Sequence, residues 1–207
     1  MKIFTLLLAF LPAVSFSVEI EGAYFRLAAE SLVIERVAVR GGESLYPGVG
    51  QLHTSYLDYW LRLGRARVLI REGDVNLIDP ETMDAPIEFS REEEKSGFRI
   101  LTMVCRYKEE LAAAVMISLV PRGDPQTVNP GIYYSVRGPD FAALLDGFEQ
   151  VVLKSELRTS KLTEYRSLDD SNVAAALQPL RTFLKERANS EGSDSPERES
   201  GPRLNKP

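Results

Sequence analysis

Alternating apolar and polar residues predict β-strands along the first two thirds of the chain. Residues 18–28 alternate weakly and predict a first strand. Residues 31–40 alternate more clearly, at three valines, and predict a second strand. Gly41 and Gly42 follow directly and predict a turn.

Residues 51–64 fit both a helical and a strand period. The helical spacing joins Leu52, Tyr56, Tyr59, Trp60 and Leu63. Ser55 and Asp58 stand where a capping box would begin that helix. The strand period joins Leu57, Tyr59, Leu61 and Leu63, and aromatic residues favour strands. We favour the short helix, with the strand as the alternative.

The next segment predicts short strands separated by turns. Residues 66–71 predict a strand, residues 72–74 a tight turn, and residues 75–78 the returning strand. A short strand is predicted at 87–89, and the charged residues 92–97 predict a solvated turn.

The clearest hairpin joins residues 98–107 to residues 111–120 across a short charged link. The second of these strands is almost entirely apolar, which predicts a central strand that is covered on both faces. Residues 122–131 contain prolines and glycines and predict a loop, and residues 132–136 predict one more strand.

Two helices are predicted near the C-terminus. Pro139 and Asp140 begin the first, since an acidic residue at a helix N-terminus is favoured by the helix dipole. The second runs from 170 or 171 to about Arg187, with Pro179 inside it. Strands first and helices last predict an α+β domain, a mainly antiparallel sheet with the C-terminal helices on one face.

The N-terminus predicts export. Lys2 precedes a short apolar segment, residues 3–14, and Ser15 and Ser17 occupy the two positions that a signal peptidase reads, one on either side of Phe16. The apolar segment is shorter than the roughly 20 residues of a membrane span. We expect a signal peptide over 1–17, with cleavage after Ser15 as one alternative and an uncleaved N-terminal anchor as another.

The chain after the signal peptide divides into one domain and a C-terminal tail. Residues 18–187 predict a single domain, and the polar residues 188–207 predict a disordered tail. No cysteine follows either cleavage site, so we expect a protein that is free of a lipid anchor and of any membrane span after cleavage. Localisation is predicted as periplasmic or secreted.

Composition narrows the classes of partner and compartment. The formal net charge of -5 gives no reason to expect nucleic acid as a partner. Cys105 is the single cysteine, so no internal disulfide can form, and we expect it to be a small buried residue. The chain has no Asn-x-Ser/Thr acceptor. Together these features favour a bacterial exported protein.

Most catalytic and cofactor chemistries lack the residues they need. His53 is the only histidine, so a zinc site with several imidazoles is impossible. Gly48 and Gly50 begin a dinucleotide-binding pattern, but His53 stands where its third glycine belongs. We therefore expect no metal and no cofactor.

The remaining candidates form an aromatic and arginine-rich segment. Glycoside cleavage uses two carboxylates, and Asp58 is the first candidate because it lies beside Tyr56, Tyr59 and Trp60, whose rings could stack on sugars. The alternative is that these rings fill the core and that Asp58 caps a helix or faces water. Arginines follow directly: Arg65, Arg67 and Arg71 would share one face of a strand, with Arg62 on the other. Such a row binds anions, or it is the charged surface of an edge strand.

Two functions are compatible with these features. We favour a non-enzymatic interaction or ligand-binding protein that contacts an unknown protein or envelope component through Tyr56, Tyr59, Trp60, Arg65, Arg67 and Arg71. The alternative is a small hydrolase of cell-envelope polysaccharide in which Asp58 is the catalytic carboxylate. A third possibility is a structural or assembly role through a sheet edge or the C-terminal helix.

Overall fold

The computed structural model describes residues 17–46, 50–75, 85–107, 109–119, 130–158 and 170–193. Its strands are β1 (Ser17–Glu21), β2 (Phe25–Glu30), β3 (Leu32–Tyr46), β4 (Gly50–Leu63), β5 (Ala66–Asp74), β6 (Ile87–Lys95), β7 (Phe98–Tyr107), β8 (Glu110–Leu119), β9 (Pro130–Gly138) and β10 (Glu156–Leu157). Its helices are α1 (Phe141–Gly147), which continues as a π-helical turn (Phe148–Val152), and α2 (Asp170–Ser193).

Seven strands form one antiparallel sheet in the order β3-β4-β5-β9-β8-β7-β6. A second, antiparallel sheet has the order β1-β2-β10. The predicted hairpin of residues 98–107 with 111–120 is confirmed as β7 and β8. Strand β8 lies between β7 and β9 and is buried from Leu111 to Ser118, so its central, doubly covered position is also confirmed.

Each face of the seven-stranded sheet is defined by its cross-strand pairs, because paired side chains point the same way. The inner face contains Tyr59, Ile70, Tyr134 and Val115, which are paired in a row across four strands. The three-stranded sheet packs near one end of this face, where the Phe25 ring meets Tyr59 edge-on at 5.3 Å. The main hydrophobic core therefore lies between the inner face and the elements that cover it.

The helices cover the rest of the inner face. Asp140 caps α1 by accepting a hydrogen bond from the Ala143 backbone N–H at 2.9 Å, as expected for an acidic residue before a helix. Gly147 allows α1 to lie close to the sheet, since a Cβ there would be 2.6 Å from Cγ1 of Val136. The predicted stripe on α2 is buried: Val173, Leu177, Leu180 and Leu184. The α+β class with C-terminal helices packed on one face of an antiparallel sheet is thus confirmed.

Helix α2 runs past its predicted end at Arg187 to Ser193. The additional turn is fixed by contacts with α1 and its surroundings: the Glu191 carboxylate accepts a hydrogen bond from the Phe141 N–H at 3.1 Å, and Ala188 packs against the core. These contacts join residues that are far apart in the sequence, so the polar composition after residue 187 did not indicate that the helix continues.

The predicted helix at 51–64 is wrong, and the strand alternative is correct. Strand β4 pairs with β3 from Gly50 to Leu63 and with β5 from Tyr56 to Leu63, so its second half is an interior strand. Its odd-numbered residues Tyr59, Leu61 and Leu63 are buried on the inner face. Pairing on both edges outweighs the helical spacing of the aromatic residues.

Several predicted turns are also wrong because the strands are longer than their apolar cores. Strand β3 continues through Gly41 and Gly42, and β5 continues through 72–74. The turn in 92–97 is confined to Ser96 and Gly97, whose φ angles of 53° and 76° suit a two-residue hairpin. The single strand predicted over 18–28 is two strands, β1 and β2.

Some predictions lie outside the described residues. They are the signal peptide up to residue 16, most of the strand predicted at 75–78, most of the loop predicted at 122–131, and residues 194–207 of the predicted tail. The side chain of His53 also lies outside the described set.

Candidate functional site

The outer face of β3, β4 and β5 brings aromatic and arginine side chains together. Side chains of a strand point alternately to its two faces, so the even-numbered residues of β4 all lie on this face. The register places arginines of the neighbouring strands beside them. We call this surface the arginine–aromatic face; it consists of Arg36, Tyr56, Asp58, Trp60, Arg62, Arg67 and Arg71.

At its buried centre lies an ion pair. Arg71 donates from Nε to Asp58 Oδ1 at 2.7 Å and from Nη2 to Oδ2 at 3.0 Å. The Asp58 side chain is 0% exposed and that of Arg71 is 12% exposed. Burial acts to lower the pKa of the Arg71 guanidinium, but the Asp58 carboxylate outweighs it and the pKa is raised. This two-point contact fixes the guanidinium in the sheet.

Arginines also lie over both rings of this face. The Arg71 guanidinium carbon is 4.0 Å from the Tyr56 ring centroid, and the Arg36 carbon is 5.2 Å from the Trp60 centroid. Both distances are within the range of cation–π attraction. One ring face of each aromatic side chain is therefore already in contact with a guanidinium group.

The periphery of the face consists of exposed ion pairs. Arg67 donates to both carboxylate oxygens of Glu110, and Arg62 donates to Glu35. The side chains of Arg62 and Arg67 are 56% and 54% exposed. Pairs of this kind contribute about 0–1 kcal/mol to stability, so these guanidinium groups can change partners at little cost.

The structure brings together four of the six predicted binding residues. Tyr56, Trp60, Arg67 and Arg71 share the arginine–aromatic face. Tyr59 lies on the opposite, inner face, where its hydroxyl donates to Glu72 at 2.9 Å. Arg65 belongs to the turn between β4 and β5 and pairs with Asp140 at the start of α1.

The placement of Arg62 corrects the predicted arrangement. It lies on the same face as Arg67, its direct partner in the register, because the chain reverses at Gly64 and Arg65. Arg36 is a member of the face that the sequence analysis missed. The strand reading of 51–64, which places Tyr56, Asp58, Trp60 and Arg62 on one side, was the signal that could have defined the surface.

Asp58 has the geometry of a structural carboxylate. Both of its oxygens accept hydrogen bonds from Arg71, and its side chain has no accessible surface. A general acid or nucleophile must reach the substrate within hydrogen-bonding distance. The observed geometry therefore gives no support to a catalytic role for Asp58.

The described residues lack the features of a metal centre and of a membrane-spanning helix. These residues contain no cluster of histidine, cysteine or acidic side chains suited to a metal ion. No helix within the described ranges has the length and apolar character that a membrane span requires. Cys105 is buried, with its position on β7 facing away from the inner core.

The arginine–aromatic face is thus the main cluster of chemically distinctive side chains predicted from the sequence. It presents exposed guanidinium groups around partly buried rings. Comparisons of the chain with protein-family models, with curated proteins and with solved structures find no match.

Proposed function

We propose that the protein is an exported, non-enzymatic interaction protein that binds an acidic surface of a partner protein through its arginine–aromatic face. The observation behind this proposal is the grouping of Trp60, Tyr56 and several arginines on one sheet face. Tryptophan, tyrosine and arginine are the residues that most often dominate binding energy at protein interfaces.

The stacked rings favour a protein partner over a carbohydrate. A sugar would need the open face of an aromatic ring, whereas Tyr56 and Trp60 each have a guanidinium group within 5.2 Å of the ring centroid. A guanidinium group that stacks on a ring keeps its N–H donors at the ring edge, where a carboxylate can accept two hydrogen bonds, as Asp58 does from Arg71.

The exposed ion pairs support an acidic partner. Arg62 and Arg67 are held by Glu35 and Glu110 at the surface, where exchange of one carboxylate for another costs little. An incoming Asp or Glu side chain could replace these acids, while the buried pair of Arg71 with Asp58 keeps the centre of the face rigid.

The test is affinity capture of exported proteins from the source organism, followed by titration of the captured partner at several salt concentrations. The double variant Trp60→Ala with Arg67→Ala should lose affinity at least about tenfold. Arg67→Ala alone should lower the salt dependence of association. Arg26→Ala is the matched control, because Arg26 is similarly exposed and ion-paired to Glu19 on the other sheet.

Two outcomes would contradict the proposal. One is a partner that binds the double variant as tightly as the unaltered protein. The other is turnover or tight binding of a cell-envelope glycan, which would favour the hydrolase alternative and would be measured with a panel of purified polysaccharides.

A further inference from the structure

A cavity of about 300 Å³ lies between α2, the inner face of the sheet and the segment that follows the π-helical turn. Most of its walls are apolar: Ile117, Val152, Leu153, Leu157, Val173, Ala174 and Leu177. The volume lies at the lower end of the range for small-molecule sites.

Tyr134 supplies a polar group to this apolar cavity. Its side chain lines the cavity and its residue is 1% exposed. Its hydroxyl has no hydrogen-bond partner among the described residues. The Ser155 hydroxyl is a neighbour, but it donates to the Val151 carbonyl at 2.7 Å and forms no hydrogen bond with the Tyr134 hydroxyl. A buried hydroxyl without a partner is unfavourable, and a bound acceptor would remove that cost.

The Tyr134 hydroxyl is suited to donate to such an acceptor. Burial raises the pKa of this phenol, and the neighbouring Ser155 hydroxyl offsets only part of the effect. The phenol therefore stays protonated at neutral pH and can donate its hydrogen.

The opening of the cavity has a balanced charge. Lys154, Glu156 and Ala174 line the cavity and are exposed, which places them at its solvent side. The ammonium and carboxylate groups have opposite signs, so the opening selects neither an anion nor a cation.

We infer that this cavity binds a small, uncharged, mainly apolar molecule with one hydrogen-bond acceptor, such as a ketone or an ester, which accepts from the Tyr134 hydroxyl. The apolar walls bind the hydrocarbon part through the hydrophobic effect. The site is separate from the arginine–aromatic face, because Tyr134 points to the inner face of the sheet. Its test is therefore independent of the proposed function.

The test uses the neutral naphthyl ketone dye prodan, whose emission shifts when it leaves water. The full chain should bind it saturably with a blue-shifted emission. Tyr134→Phe removes only the hydroxyl and should weaken binding about fivefold to tenfold, the usual effect of one hydrogen bond. The same variant should leave the binding of a naphthalene hydrocarbon of similar size unchanged.

A second variant tests the location of the dye. Ala174→Trp places a large ring at the opening from an exposed helix position and should abolish binding. Ala175→Trp is the matched control, since Ala175 is exposed on the same helix but does not line the cavity. Absence of saturable binding by the unaltered protein would overturn the inference. Equal binding by both tryptophan variants would do the same, because the dye would then lie elsewhere.

Discussion

The Tyr59 hydroxyl donates a 2.9 Å hydrogen bond to the Glu72 carboxylate inside the protein. The other oxygen of Glu72 accepts from the Tyr24 backbone N–H at 3.0 Å, beside the start of β2. Burial, and then the bond to Glu72, raises the pKa of Tyr59, so the phenol remains a donor throughout the physiological range. This carboxylate therefore joins the seven-stranded sheet to the three-stranded sheet.

Two buried tyrosines should respond differently to loss of their hydroxyl groups. Tyr59→Phe removes a hydrogen bond to a buried carboxylate and should lower the free energy of unfolding by about 1.5–3 kcal/mol. Tyr134→Phe removes a hydroxyl that has no partner among the described residues, and it should leave stability unchanged or slightly raised. Urea unfolding followed by circular dichroism measures both.

A double-mutant cycle assigns the Tyr59 effect to Glu72. Glu72→Gln alone should also destabilise the protein, and the combined variant should lose less than the sum of the two single variants. Strict additivity would show that the two side chains do not interact, contrary to the structure.

The buried ion pair should be far more sensitive to loss of one member than to loss of both. Asp58→Ala leaves the Arg71 charge in a buried site without its carboxylate and should cost about 3–5 kcal/mol. Replacement of both residues by leucine should recover most of that loss, because a packed apolar pair needs no compensating charge. Thermal and urea unfolding of the three proteins provide the comparison.

A further variant, Asp58→Asn, separates a structural from a catalytic role of Asp58. If Asp58 is structural, any glycan-hydrolysing activity of the purified protein would fall only with its folded fraction. Loss of activity in a fully folded Asp58→Asn protein would instead support the alternative function.

Local sequence patterns were sufficient to predict strands that are long, apolar and adjacent in the chain. Strands β7 and β8 each have ten residues and a short connection, so their hairpin is encoded locally. Asp140 likewise marks the start of α1 through its own backbone contact. The burial stripe of α2 follows from its helical spacing for the same reason.

Features that depend on distant residues could not be predicted in this way. Strand β10 has only two residues, and it forms through pairing with Arg26 and Phe25, far away in the sequence. A register shift between Ile34 and Arg36 moves the side chain of Val33 to the face opposite that of Val37, although simple alternation assigns them to one face. The arginine–aromatic face required the register of three strands and was therefore only partly predicted.

Acid should weaken the contact between α2 and the edge of the sheet. Glu88 on β6 accepts hydrogen bonds from Arg106 at 3.0 Å and from Arg187 at 2.9 Å. Partial burial acts to raise the pKa of Glu88, but the two arginines outweigh it and the pKa falls below its ordinary value of 4.5. A carboxyl whose folded-state pKa is lowered stabilises the protein above its unfolded pKa and loses that contribution as the pH falls through the folded value.

Glu88→Gln should therefore be less stable than the unaltered protein near neutral pH, and the difference should shrink as the pH falls below about 4.5. Urea unfolding across this pH range measures the difference directly. A constant difference at all pH values would show that the glutamate acts through packing alone.

The exposed valines of β3 predict self-association through this edge of the sheet. Strand β3 ends the seven-stranded order, and Val37 and Val39 on it are 51% and 79% exposed. Edge strands with apolar side chains tend to pair with other chains, and a lysine prevents this pairing. Val39→Lys should change the free energy of unfolding by no more than about 0.5 kcal/mol and should reduce light scattering at high protein concentration.

Ile87→Lys at the opposite edge is the matched control, because Ile87 is 59% exposed on β6. Reduced scattering with Ile87→Lys alone would assign the association to β6 and contradict the role of β3.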